Sequence, residues 1–273
     1  MTWEILLSSL VLSLVLLIPL SVKWEISKEI AIPSSLVIGI LTGFIVTGMM
    51  SIFPVKFWYR LILELLVILG ISASLLLWRF FRDPERIPPD DQDAILSPAD
   101  GKVIYVKRIE RGTIPYSEKR GRKFSLNDFT QSDVLPMEGY LIGIAMNFLN
   151  VHVNRAPIGG KVFRIRHIQG GFVSLKKKEA LIQNERALTV IDNGGFKIGV
   201  VQIASRLVRK IVFYLQEGQE IRRGERMGMI RFGSQVDLIL PNSPSVKIEV
   251  RPGKEVKAGL SIIARIVEAQ AGR

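Results

Sequence analysis

The chain has 273 residues, 48% of them hydrophobic, and a formal net charge of +12. It holds no cysteine and only two histidines, which excludes disulfides, thiolate nucleophiles and cysteine-based zinc sites and leaves few general bases for neutral pH. The excess positive charge points to an anionic partner, either nucleic acid or an anionic membrane surface.

Residues 5–20 are almost unbroken apolar sequence. Residues 30–53 form a second run, interrupted by Pro33, and residues 61–78 a third, with Glu64 near its start. A helix needs about 20 residues to cross the hydrocarbon core, so the second run is long enough and the other two are marginal. Trp3, Trp24, Trp58, Tyr59 and Trp78 sit at the run ends, where interfacial belts are found. No basic segment precedes the first run and two more runs follow, which favours an anchor over a cleaved signal peptide. Residues 1–80 are therefore expected to form a transmembrane anchor of two or three helices. Arg79, Arg82 and Arg86 follow the third run and favour a cytoplasmic catalytic domain, while Lys56 and Arg60 argue weakly the other way. With membrane segments present and no nucleic-acid-binding motif in the chain, an anionic membrane surface is the expected partner and nucleic acid is not.

From about residue 94 the texture changes. Short β-type runs alternate with Gly, Pro and Asn at residues 101–106, 140–145, 160–165, 187–191, 196–203, 211–214, 226–232 and 236–240. Strands this short and regular predict a mainly β domain over residues 81–273, an antiparallel sandwich or barrel. Residues 208–231 read strand, turn, strand, as in lipoyl-like hairpins. Residues 111–133 are polar and basic and read as an exposed loop.

Four segments carry chemistry: "FFRDPER" (80–86), "SPADGKV" (97–103), "NVHVNRAPIGGKV" (150–162) and "RFGSQVDLILP" (231–241). His167 lies among Arg164, Arg166 and Gln169 on an alternating strand and reads as exposed. His152 runs into an Arg-Ala-Pro turn and is the plausible general base. Asp100 is either an ordinary turn residue before Gly101 or a carboxylate that orients an imidazole and steadies its charge. Ser234 follows Gly233 between two strand-like runs, and no G-x-S-x-G elbow surrounds it. Arg82, Arg86 and Arg155 are either paired with Asp83 and Glu85 or available to a phosphate, with Arg155, beside His152, the leading substrate-binding residue.

Together these segments, with "NER" (184–186) and "GERMGMIRFGSQVDLILP" (224–241), resemble the phosphatidylserine decarboxylases, specifically the short-form bacterial and archaeal branch. The resemblance covers about residues 80–241. It implies a mainly β catalytic domain made as an inactive precursor that cuts itself between Gly233 and Ser234. Residues 1–233 would become a β-subunit and 234–273 an α-subunit, held as a heterodimer whose further assembly is open. Ser234 would become a covalent pyruvoyl cofactor, with Asp100 and His152 completing the processing triad and no metal required. The cofactor would form a Schiff base with the serine headgroup of a phospholipid and release carbon dioxide, leaving diacyl and ether-linked lipids equally admissible. Two departures stand out: Leu149 replaces the second histidine of long-form relatives, leaving the proton donor of the decarboxylation unassigned, and Asn150 stands where the family often has Asp. The rival readings are a membrane-anchored serine hydrolase using Ser234, His152 and Asp100, and a lipoyl-like binding module without activity.

Overall fold

The computed structural model describes residues 2–24, 26–114, 124–171, 183–204, 211–231, 234–243 and 246–267. It divides into a helical unit, Met1–Phe81 with Asn147–Leu149, and a β unit, Arg82–Met146 with Asn150–Arg273.

The helical unit contains α1 (Thr2–Lys23), α2 (Lys28–Ile52) and α3 (Phe57–Phe81). All three are long and apolar enough to cross a membrane. The first and third exceed their apolar runs because the flanking aromatic and polar residues continue the helix. At 22 residues α1 spans about 33 Å, against a hydrocarbon core of about 30 Å. Small residues bring α1 and α2 close: a Cβ on Gly39 would lie 2.5 Å from Ser13 Oγ and 2.9 Å from Leu10 Cα. Ser13 Oγ also donates to the Ser35 carbonyl across the pair (2.9 Å). Lipid offers no hydrophobic drive between helices, so close backbone approach and interhelical hydrogen bonds supply the association. Glu64 is fully buried in this unit, accepting from Ser8 Oγ at 3.0 Å and paired with Arg60 Nε at 3.3 Å.

The β unit contains β1 (Ala94–Leu96), β2 (Gly101–Ile109), β3 (Thr113–Ile114), β4 (Phe124–Ser125), the short helix α4 (Leu126–Thr130), β5 (Gly139–Met146), β6 (Val153–Arg155), β7 (Gly160–Ile168), β8 (Arg186–Asp192), β9 (Lys197–Ala204), β10 (Ile211–Phe213), β11 (Glu220–Ile221), β12 (Arg226–Ile230), β13 (Ser234–Pro241), β14 (Val246–Ile248), β15 (Glu255–Val256) and β16 (Ile262–Ile266). The main sheet is an antiparallel curled half-barrel in the order β11-β7-β8-β9-β13-β5-β2-β15. Two three-stranded sheets, β1-β16-β14 and β10-β12-β6, and the β3-β4 pair complete the unit. The mainly β architecture with apolar helices ahead of it is as the sequence pattern predicts.

The central strands are covered on both faces, which is why β8 and β9 read as continuous apolar runs rather than alternating ones. On one face Ile144, Ile191, Val200, Val236 and Leu238 join a core with Ala99, Ala156 and Ile263. On the other, Leu141, Leu188, Val201, Ile203 and Ile239 pack with Ile114, Leu126 and Phe129. The last three belong to the segment expected to be an exposed loop. Its described part instead forms β3, β4 and α4 and contributes Ile114, Leu126 and Phe129 to the core, and Ser125 and Asp128 form a reciprocal capping box at the start of α4. Buried Arg186 donates to the carbonyls of Phe129 and Asp128 at the end of that helix. β13 sits in the middle of the sheet, paired with β5 from Ser234 to Pro241 and with β9 from Ser234 to Ile239.

Candidate active site

The turn between β1 and β2 is buried from Ser97 to Gly101. Gly101 has φ 147°, and a Cβ there would meet the Ala145 carbonyl oxygen at 2.2 Å. Only glycine lets this turn lie so close to β5. The consequence is that Asp100 is held inside the protein. Its Oδ1 accepts from Arg86 Nη1 (2.5 Å) and the Ala258 amide (2.8 Å), and its Oδ2 from Arg86 Nη2 (3.0 Å) and the Val151 amide (3.2 Å). Arg86 Nη1 also donates to the Ala258 carbonyl at 2.8 Å. A buried carboxylate with two guanidinium and two backbone donors is fully satisfied.

His152 follows directly on Val151 and is wholly buried. Its Nδ1 lies 2.9 Å from the Asn150 carbonyl oxygen. A carbonyl only accepts, so this contact places the proton of the neutral ring on Nδ1 and the lone pair on Nε2. The tautomer expected to be held by Asp100 is therefore set by the backbone of Asn150, while Asp100 grips the adjacent peptide. Burial drives the His152 pKa down to about 4, against smaller upward pulls from the Asn150 hydrogen bond and the Asp100 charge, and Arg82 adds to the fall. The imidazole is neutral at physiological pH and able to take a proton.

His152 lies directly ahead of β6, which runs beside the strand that precedes Ser234. Val153 pairs with Met229 on β12, and the Ile230 amide donates to the His152 carbonyl at 3.3 Å. β12 ends at Ile230, and Ser234 opens β13 opposite Met146 and Ala204. Gly233 lies outside the described residues. The fold thus brings together three of the sequence-selected segments, those of Asp100, His152 and the approach to Ser234. Asn154 braces the same region: its Nδ2 donates to the Pro98 carbonyl (3.2 Å), and its Oδ1 accepts from Gln202 Nε2 on β9 (2.8 Å).

Arg155 is buried, with Nη1 donating to the Gly224 carbonyl (3.0 Å) and Nη2 to Asp83 (3.3 Å) and the Pro84 carbonyl (2.9 Å). Those donors are engaged in fixing the 83–84 segment onto β6, which is the structural alternative to a phosphate contact. Arg226 closes the same cluster through Asp83 and Glu85. His167 is exposed on β7 and pairs with Glu185 at 2.8 Å. Among basic residues that could meet an anionic membrane surface, Lys176, Lys177 and Lys178 lie outside the described residues, and Arg223 donates to the backbone carbonyls of Asp91, Pro89 and Ala94.

Sequence reasoning missed the Asp100 partner, Arg86, although "FFRDPER" was singled out. It also missed a network beside the site: Tyr105 Oη donates to Asp237 Oδ2 (2.6 Å), and Gln235 Nε2 donates to Tyr105 Oη (2.6 Å) and Asp237 Oδ1 (2.7 Å). Gly143 makes room for it, since a Cβ there would lie 2.2 Å from Tyr105 Cζ. Burial lifts the Asp237 pKa to about 7, opposed by these hydrogen bonds and Lys107. Among the described residues no cluster of three or more potential metal ligands occurs.

Comparison with known proteins identifies the family. The family model described as phosphatidylserine decarboxylase matches residues 74–264. A Methanothermobacter thermautotrophicus protein bearing the name archaetidylserine decarboxylase proenzyme is 40% identical over 78% of this chain and 88% of its own length. The phosphatidylserine decarboxylase proenzyme of Desulfotalea psychrophila is 38% identical over 75% of this chain and 86% of its own. A Methanocaldococcus jannaschii protein, again with the archaetidylserine name, is 42% identical over 70% of this chain and 91% of its own. The match runs through all four site segments and most of the β unit, and on it the chain belongs to the phosphatidylserine decarboxylase family of carboxy-lyases.

Proposed function

We propose that this chain is a membrane-anchored proenzyme that cuts itself between Gly233 and Ser234 and then removes the carboxylate from the serine headgroup of a phospholipid. The observation that carries the reading is the placement of His152: a neutral, buried imidazole with its lone pair on Nε2, on a segment hydrogen-bonded to the strand that leads into Gly233 and Ser234.

In self-processing, the Ser234 hydroxyl attacks the Gly233 carbonyl, its proton passing to His152 and from there to the departing nitrogen, so that the peptide bond gives way to an ester with a free amine on residue 234 and His152 is neutral again. His152 then removes the α-proton of residue 234, the Gly233 carboxylate leaves, and water hydrolyses the resulting enamine to a pyruvoyl group and ammonia. Asp100 serves by holding the Val151 amide and by lending negative charge when His152 is protonated. The residues suit this cofactor. β13 is hydrogen-bonded to two neighbours along most of its length, so a new chain end at residue 234 would stay anchored in the sheet and the two products would remain a heterodimer. The pyruvoyl group supplies the electron sink that accepts the pair left when carbon dioxide departs. The substrate reading extends the names of the relatives to this chain as a serine phospholipid, diacyl or ether-linked.

We place the β unit on the cytoplasmic side. Arg60, which would argue otherwise, is paired with Glu64, whereas Arg79 in the last turn of α3 and Arg82 beyond it bias the other end. An anionic membrane surface is the matching partner for a chain of charge +12.

The test uses full-length protein in lipid nanodiscs with serine phospholipids labelled in the serine carboxyl, one diacyl and one ether-linked. Labelled carbon dioxide is expected from at least one of them, and Ser234→Ala should remain uncut and inactive. Fully cut protein that releases no label from either lipid would overturn the proposal.

A further inference from the structure

We infer that Arg86 is a positioning residue for self-processing, acting through Asp100 on the main chain and charge of the His152 segment. The inference rests on the processing chemistry proposed above.

Asp100 is buried and its side chain is 8% exposed, while that of Arg86 is 7% exposed. Two opposite charges so withdrawn from water are stable only when geometry and additional hydrogen bonds are complete. Here they are. The guanidinium meets both carboxylate oxygens, and the pair makes three further contacts, to the Ala258 carbonyl, the Ala258 amide and the Val151 amide. The two side chains therefore join three stretches distant in sequence: the segment after α3, the turn before β2 and the chain just ahead of β16. The Val151 contact adds a fourth, since the next residue is His152.

Two consequences separate this role from general stability. The first is geometric. With Arg86 gone, Asp100 loses its side-chain partner among the described contacts and need no longer hold the Val151 amide, so the peptide that leads into His152 is no longer fixed. The second is electrostatic. The charged groups acting on His152 are Asp100, which favours its protonation, and Arg82, which opposes it. Arg86 is paired with that same carboxylate and offsets part of its charge. Without Arg86 the carboxylate acts on the imidazole unscreened, and His152 holds its proton to higher pH. A residue that only braced the fold would alter the amount of folded precursor and leave the titration of His152 where it was.

The test is a time course of precursor conversion for full-length protein made by cell-free synthesis into nanodiscs, then shifted to buffers from pH 4 to 8. Wild type, Arg86→Gln and Arg86→Lys are compared by the rate constant of the converting fraction. Arg86→Gln is expected to cut about 10- to 100-fold more slowly at neutral pH, with the acid midpoint of its rate raised by about one pH unit. Arg86→Lys keeps the charge and loses the two-pronged contact, so it should cut slowly with a midpoint near that of wild type. Should Arg86→Gln yield no folded precursor, Arg86→Lys still decides the geometric claim, and wild-type conversion by that variant would overturn it. Equal midpoints in wild type and Arg86→Gln, or a wild-type rate in Arg86→Gln, would overturn the inference while leaving the proposed function intact. A wild-type chain that never cuts would sink both.

Discussion

If His152 is the base of self-cleavage as proposed, its burial sets a measurable limit on that reaction. Exposed histidine titrates near 6.5, whereas burial brings His152 to about 4. In the proposed mechanism only the neutral ring can accept the Ser234 proton, so the cleavage rate should follow its neutral fraction. At pH 5 a group of pKa about 4 is about nine-tenths neutral, and an ordinary histidine only about 3%. The account therefore predicts near-plateau conversion at pH 5, a midpoint near pH 4, and a loss of rate below it. The assay is a pulse of precursor synthesis followed by a shift to each pH, with conversion followed by gel. The internal control is His152→Ala, which should accumulate precursor at every pH. A rate that falls through a midpoint of 6 to 7 would show a solvated base and refute the buried-imidazole reasoning. Full maturation of His152→Ala would show that another group is the base.

Three further outcomes follow from the same structure. In the uncut Ser234→Ala background, His152 should add stability as pH rises from about 4 to 6.5, because the unfolded state binds the proton more readily there, a contribution of about 3 kcal/mol. Asp237 runs the other way: its folded-state pKa is raised to about 7, so its contribution is lost as pH rises from 3.8 through 7. The two slopes oppose each other in the native chain, and adding Asp237→Asn should expose the His152 slope in melts recorded from pH 4 to 7. An unchanged pH profile would count against both assignments. In the helical unit, Glu64→Leu should leave Arg60 unpaired and lower heat resistance in detergent by about 3 kcal/mol, with Arg60→Leu/Glu64→Leu recovering most of it. Equal loss in the single and double variants would deny the pair its role. Finally, Asp100→Asn should slow conversion, since an amide nitrogen only donates and would face both an N–H of Arg86 and a backbone amide with no acceptor between them; conversion at the wild-type rate would contradict the contacts described.

Much of the β unit was legible because its strands are short, apolar and bounded by turn residues. β5, β8, β9 and β13 lie within a residue or two of the runs that predict them, and their nearly continuous apolar character is explained by the cover on both faces. The segment 111–133 was misread because its polar composition hides Leu126 and Phe129, which lie three residues apart on one helical face and enter the core. The three helices were legible as runs, but their ends were not, since Trp and charged residues at the margins extend the helix without adding hydrophobicity. At the site, residue types singled out His152 as a general base and left Asp100 open between a turn residue and an orienting carboxylate, and the family resemblance joined the two. What they do was less visible, because the decisive partners are the Asn150 carbonyl and the amides of Val151 and Ala258, and every residue carries such groups. Arg86 fits a phosphate contact or a carboxylate clamp equally well on sequence, and only the turn enforced by Gly101 shows which carboxylate is within its reach.

The central claim is that this chain severs itself and makes its own cofactor, and the mass of the purified full-length protein tests it most directly. The account predicts two chains, residues 1–233 ending in an unmodified glycine and residues 234–273 beginning with a pyruvoyl group, the smaller one resistant to Edman degradation until its carbonyl is reductively aminated. A single chain of full mass in protein that decarboxylates a serine phospholipid, with Ser234 intact, would contradict it.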